Sequence, residues 1–115
     1  MATYDAVFHQ EAFEEMEAHR KTVYTLIALD EFRFITSGDR LEFGSHGSIT
    51  IGMVRRYPSL ESLVEVEGWQ CLIPDASSAD DAINQVRKVQ YWDAEAEAKC
   101  GVLSLRVRGT HRKVR

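Results

Sequence analysis

Nowhere in this 115-residue chain do apolar residues run on toward the ~20 needed to cross a bilayer. The opening Met1-Ala2-Thr3-Tyr4-Asp5 has no basic segment leading into an apolar one, so no export signal is read and the cytoplasm is the expected location. Cysteine is scarce. Cys71 and Cys100 stand 29 positions apart with no CxxC pair and no Cys/His cluster, which speaks against a disulfide framework or a zinc site and for buried free thiols. His9, His19, His46 and His111 lack ligand spacing, so neither a metal nor another cofactor is expected. With two prolines, seven glycines and no internal repeat, the chain is neither collagen-like nor a low-complexity linker.

What is present is the composition of one globular domain, 44% hydrophobic and 28% charged. The 14 basic and 18 acidic residues give a net charge of -4, but they are unevenly spread. Arg106, Arg108, Arg112, Lys113 and Arg115 put five basic and no acidic groups in the last ten positions, leaving 9 basic against 18 acidic groups in residues 1–105. An acidic body does not wrap a phosphate backbone, because such binding draws its affinity from neutralised phosphates. A small, uncharged ligand suits it better.

The patterning predicts a first strand over residues 3–8 and an amphipathic helix from Gln10 to Arg20, with Ala12, Phe13 and Met16 on one face. Strands are expected over 22–29, 32–35, from Leu41 to Phe43, and from Ile49 to Arg55, the last two joined by the Gly44-Ser45-His46-Gly47 loop. Ser59, Ser78 and Asp93 read as caps of three short helices, with Gly68 and Gly101 as stops after the first and third. A strand from Leu103 to Arg108 closes the series. Hairpins with grouped helices indicate an α+β fold, a small β-barrel flanked by short helices. Residues 1–108 are expected to form the domain, and 109–115 a basic tail, either an RNA-contacting arm or a disordered end.

Specific residues add to this order. His19-Arg20-Lys21-Thr22-Val23-Tyr24-Thr25-Leu26 resembles the Gly-x-Lys-Thr-x-Glu-x-Arg signature of the ASCH family, whose members adopt a PUA-like barrel. Similar in order are Gly38-Asp39-Arg40-Leu41-Glu42-Phe43, Tyr57-Pro58-Ser59-Leu60, Glu67-Gly68, Leu72-Ile73-Pro74, Tyr91 and Gly101-Val102-Leu103. Only the Lys-Thr centre of the signature is kept, since His19, Tyr24 and Leu26 replace its glycine, glutamate and arginine. The chain also resembles small bacterial relatives that hydrolyse the amide of N4-acetylcytidine. That resemblance implies catalytic roles for Lys21, for Tyr24 or its neighbour Thr25 at the nucleophile position, and for Glu67 as proton donor. It further implies substrate contacts from Arg20, Thr22, Tyr57 and Trp69.

Cleaving such an amide needs an attacking group, a partner for the oxyanion and a proton for the leaving amine. Lys21, desolvated at a barrel mouth, would serve as base, with Tyr24, Thr25 or water attacking and Glu67 protonating. Strand alternation puts Lys21, Val23 and Thr25 on one face and Tyr24 on the other unless a bulge intervenes. Each residue also has a plain structural use: Lys21 as a solvated helix-end cap, Tyr24 and Thr25 as strand residues, Glu67 as a solvated helix end. Trp69, Trp92, Tyr57 and Tyr91 either stack a base or pack helices on the barrel. Two functions follow: an amidohydrolase acting on N4-acylated cytosine nucleosides, or an RNA-binding module, with or without weak ribonuclease activity. No membrane partner is expected, and the oligomeric state is open.

Overall fold

A computed structural model describes residues 2–6, 12–90 and 92–113. Two long strands, β4 (Gly47–Tyr57) and β5 (Val102–Arg112), pair antiparallel and form the centre of a five-stranded sheet. The shorter strands are β1 (Thr3–Asp5), β2 (Val23–Ile27) and β3 (Arg40–Glu42), and the order across the sheet is β1-β3-β4-β5-β2. β1 runs parallel to β3, and every other neighbour is antiparallel. The register of β4 on β5 slips twice, with an extra residue on β5 near Arg108 and one on β4 at Gly52-Met53. Such bulges bend a sheet, and here the sheet curls into a half-barrel.

Period-2 patterning sorts side chains onto the two faces. Inside the curl, Tyr24, Leu41, Ile49, Ile51 and Leu105 pack with Phe43 and with Phe13 and Met16 of α1 (Ala12–Glu17). On the outer face, Val23 and Val102 meet Leu60, Leu63 and Val64 of α2 (Leu60–Glu67) and Ile83 and Val86 of α3 (Ala79–Val89). A fourth helix, α4 (Ala94–Cys100), leads into β5. The caps lie where side-chain chemistry puts them: Ser59 accepts from the Ser62 amide, Ser78 from Asp81, and Asp93 from Glu95 and Ala96. Gly101 ends α4 at φ 79°, and a Cβ there would stand 2.5 Å from the Tyr57 carbonyl oxygen, so the position requires glycine.

Three expectations change. Residues 32–35 are not a strand: Asp30–Phe32 is a 3-10 turn, and the Ile35 amide returns to the Phe32 carbonyl at 3.0 Å. Phe32 and Ile35 reach the core from this turn while Phe34 is 75% exposed, so an i, i+3 spacing imitated the apolar content of a strand. The basic end is not separate from the domain through residue 112, because Gly109–Arg112 pairs with Gly47–Thr50 and the Arg112 guanidinium grips Glu17. Cys71 and Cys100 are free but half-buried rather than buried. Val7, Phe8, His9, Gln10, Tyr91 and Arg115, which figure in the sequence expectations, lie outside the described residues. Among those described, no helix is long and apolar enough to cross a membrane.

The helices are tied together by one carboxylate. Glu97 of α4, only 6% exposed, accepts from the Leu60 amide at the start of α2 (2.8 Å), from Arg87 of α3 (3.1 Å) and from the Trp92 indole. Arg87 also binds the exposed Glu61. Glu97→Ala strands these donors and should lower stability in urea unfolding by about 3 kcal/mol. Glu61→Ala removes only an exposed partner and should cost less than about 1 kcal/mol.

Candidate functional site

The α1–β2 junction sets Lys21. α1 closes through His19, which adopts φ 62°, the left-handed region that glycine favours and where the resembled signature has glycine. The Arg20 and Lys21 amides both return to the Glu15 carbonyl, at 3.0 and 3.1 Å. Thr22 is then fixed by its backbone, its amide donating to Cys71 and its carbonyl accepting from Val107. This turn drives Lys21 inward rather than into solvent. Its side chain is 4% exposed, and Nζ donates to the Leu72 carbonyl at 2.6 Å and stands 5.5 Å from the centre of the Tyr24 ring. It makes no ion pair with a described carboxylate. Burial pulls the amine down to about 8, with Cys71 and Glu15 nearby offsetting part of the effect.

Lys21 opens onto a 270 Å³ cavity whose lining includes Ala12, Glu15, Leu72, Pro74 and Gln85. Glu15 holds the exposed Arg20 through Oε1 at 2.7 Å, and its Oε2 is buried without a partner among the described residues. The lining thus combines the Lys21 amine with the acidic residues Glu14, Glu15 and Asp75, a donor and acceptors of the kinds a secondary amide uses at its C=O and its N–H. Glu15 escapes a sequence reading because it sits with Glu14 and Glu17 in the acidic part of an amphipathic helix.

Tyr24 and Thr25 belong to a second arrangement. β2 pairs with β5 without a bulge, so alternation holds and Tyr24 packs inside the curl, edge-on to Phe43 at 5.1 Å. Gln90, at the end of α3, clamps both residues: its Nε2 donates to the Tyr24 hydroxyl (2.8 Å) and the Thr25 carbonyl (3.0 Å), and its Oε1 accepts from the Thr25 hydroxyl (3.2 Å). Tyr24 and Gln90 line a different, larger cavity of 540 Å³. The Lys21 amine and the Tyr24 hydroxyl thus face separate spaces.

Glu67, at the end of α2, does not line the Lys21 cavity, although both it and Lys21 act on the Cys71 thiol; its Oε2 is buried and unpartnered among the described residues. Its nearest chemistry is with Tyr57, whose phenol is pushed up by burial and by a hydrogen bond with Glu67, and with Cys71, pushed up by burial and then by the Glu67 charge. Trp69 packs beside the α2–α3 core, and Trp92 lines the large cavity. The structure therefore brings together Lys21, Arg20 and Glu15, and separately Tyr24, Thr25 and Gln90, but does not bring Glu67 into the Lys21 cavity. Among the described residues no three His, Cys, Asp or Glu side chains converge as a metal-binding group.

The buried amine makes stability depend on pH. An unfolded Lys21 titrates near 10.5 and the folded one near 8, so between these values the unfolded chain binds more protons and stability rises with pH. Relative to Lys21→Met, the wild-type protein should gain about 3 kcal/mol between pH 7 and pH 10.5, measured by urea unfolding at each pH.

Neither a protein-family model nor a curated protein matches the sequence. Solved structures do match in fold. The hypothetical protein PH0355 superposes with a TM-score of 0.81 at 22% identity, over 96% of this chain and 99% of that one. Protein PF0455 from Pyrococcus furiosus, solved by solution NMR, superposes with a TM-score of 0.71 at 21% identity, over 96% of each chain. The chain shares their α+β fold over nearly its whole length.

Proposed function

We propose that this chain is an amidohydrolase that removes the acyl group from the exocyclic nitrogen of N4-acetylcytidine or a related N4-acylated cytosine nucleoside, on an ASCH-type, PUA-like fold. The observation that carries this reading is Lys21, a buried amine with no described carboxylate in ion-pair contact, lining a small cavity that Glu15 also lines. A buried lysine without an ion pair is costly, and such groups cluster at reactive sites.

In the reaction, neutral Lys21 takes a proton from water as the water oxygen bonds to the acyl carbon. The ammonium so formed lies beside the developing oxyanion and above the Tyr24 ring, both of which favour the positive charge. The Glu15 carboxylate, on the cavity lining, accepts the N4–H and orients the amide. As the C–N4 bond breaks, Lys21 returns its proton to N4, and a carboxylic acid and the free cytosine amine result. Water is the nucleophile in this scheme, because Thr25 is fully buried and bound to Gln90, and the Tyr24 hydroxyl faces the other cavity. Glu67, outside the Lys21 cavity, takes no proton-transfer role.

Purified protein should convert N4-acetylcytidine to cytidine, followed by liquid chromatography. Activity should rise about tenfold per pH unit below 8 and level off above it, as the amine loses its proton. Lys21→Ala should lose about 10²-fold or more, and Glu67→Gln should stay near wild type. Absence of turnover in wild type, or full activity in Lys21→Ala, overturns the proposal.

A second reading, RNA binding, is favoured by a different observation. Arg112 and Lys113 are committed to Glu17 and Glu42, whereas Arg106 and Arg108 on β5 and Arg55 on β4 are exposed and make no ion pair with a described carboxylate. On this reading an oligouridylate binds, weakens steeply with salt and is released by Arg106→Ala/Arg108→Ala. Binding that ignores salt or survives that double change rejects it.

A further inference from the structure

Protonated Lys21 has three N–H groups, and among the described residues one hydrogen-bond acceptor meets them, the Leu72 carbonyl at 2.6 Å. The face of the Tyr24 ring is a second stabilising contact, with Nζ 5.5 Å from its centre. The charged and titratable groups around the amine are Glu14 and Glu15 of α1, Cys71 in the short turn Trp69–Cys71, on which Arg106 of β5 also acts, and Asp75 on the cavity lining. None of these carboxylates is in ion-pair contact with it. An aromatic face attracts an ammonium and is nearly indifferent to a neutral amine, so it shifts the balance between the two forms. How far it does so depends on where the ring points.

The buried ring is held at two places. It meets Phe43 at 90° with centroids 5.1 Å apart, and its hydroxyl accepts from Gln90 Nε2 at 2.8 Å. The Gln90 amide sits one way round only, because the Thr25 carbonyl can only accept, from Nε2 at 3.0 Å, while the Thr25 hydroxyl donates to Oε1 at 3.2 Å. The tip of the ring is therefore pinned from the end of α3, 66 residues away in sequence. We infer that Gln90 is a positioning residue for Lys21: it does not line the Lys21 cavity, but by fixing the Tyr24 hydroxyl it keeps the ring face on Nζ and so favours the ammonium. Loss of this bond loosens the ring, and the amine then gives up its proton at lower pH. That Lys21 is a base rests on the hydrolysis proposed above; the contact between ring and amine does not.

The chain has four lysines, of which Lys88, Lys99 and Lys113 are exposed, so the ε-methylene resonance of Lys21 can be followed by NMR with isotope-labelled lysine and identified by its loss in Lys21→Met. Its midpoint should lie near 8 in the wild type. Tyr24→Leu, which removes the ring, should lower the midpoint by about one pH unit. Gln90→Met and Tyr24→Phe remove the same hydrogen bond from either side, and each should lower it by about half a unit. Tyr24→Phe/Gln90→Met should titrate as Tyr24→Phe does, since no shared bond is left to lose. Thr25→Val costs Gln90 a different bond and should leave the midpoint in place, whereas a merely structural clamp would make Thr25→Val and Gln90→Met behave alike. An unmoved or raised midpoint in Tyr24→Leu, Gln90→Met or Tyr24→Phe, a further fall in the double variant, or equal shifts in Gln90→Met and Thr25→Val overturns the inference. Where Gln90→Met does not fold, Tyr24→Phe decides alone. The titration needs no substrate, so a failure to hydrolyse N4-acetylcytidine rejects the proposed function and leaves this result standing. Where hydrolysis is seen, the acid limb of its pH profile should shift by the same amount as the resonance.

Discussion

The arrangement of the helical half of this protein depends on satisfying the carboxylate of Glu97 in a place where water does not reach it. Its oxygens serve a backbone amide of α2, 37 residues away, and the nearer guanidinium of Arg87 on α3 and indole of Trp92, so one group ties α2 to the α3–α4 segment. The consequence extends past the helices. α3 is held by Arg87 and ends at Gln90, and Gln90 is the clamp on Tyr24 and Thr25 in β2. Polar satisfaction in one place therefore fixes strand side chains in another.

The second constraint is the buried amine at the start of β2. The sequence marks Lys21 by its neighbours, but what makes it chemically unusual is the turn before it. His19 in a left-handed conformation reverses the chain tightly enough that Arg20 stays outside while Lys21 goes in. The glycine of the resembled signature would reach that conformation freely, and histidine reaches it at a modest local cost. Tyr24 has the amine 5.5 Å from its ring centre and also lines the larger cavity.

The parts of the fold carried by short-range rules were legible in the sequence. Ser59, Ser78 and Asp93 cap because their side chains answer nearby amides, and Gly68 and Gly101 stop helices because of their φ angles, all of which is local chemistry. The alternation that separates Val23 from Tyr24 is likewise a property of one strand. What was not legible is long-range. Glu15, Gln90 and Glu97 look like surface residues of amphipathic helices, and only the packing of distant elements gives each its buried partners or, for Glu15, its buried oxygen. The 32–35 segment carries strand-like apolar content, with Phe32 and Phe34 two apart, but only Phe32 and Ile35, three apart, reach the core, which a turn allows and a strand does not. The far end of β5 reads as a basic tail in sequence because its pairing partner, Gly47–Thr50, lies some sixty residues away.

The position of β5 in the sheet bears on how the chain is made. It lies between β4 and β2, and among the described residues β2 has no other strand neighbour. Synthesised from the N-terminus, β2 emerges some eighty residues before the strand that pairs with it, and during that interval Tyr24 and Leu26 have only part of their core. The hairpin of β3 and β4 can form early, but the curl cannot close until residues 102–112 are free to insert between two strands already present. The nascent protein therefore carries an open sheet edge through most of its synthesis, and the fold is completed by insertion at the centre rather than by growth at the rim.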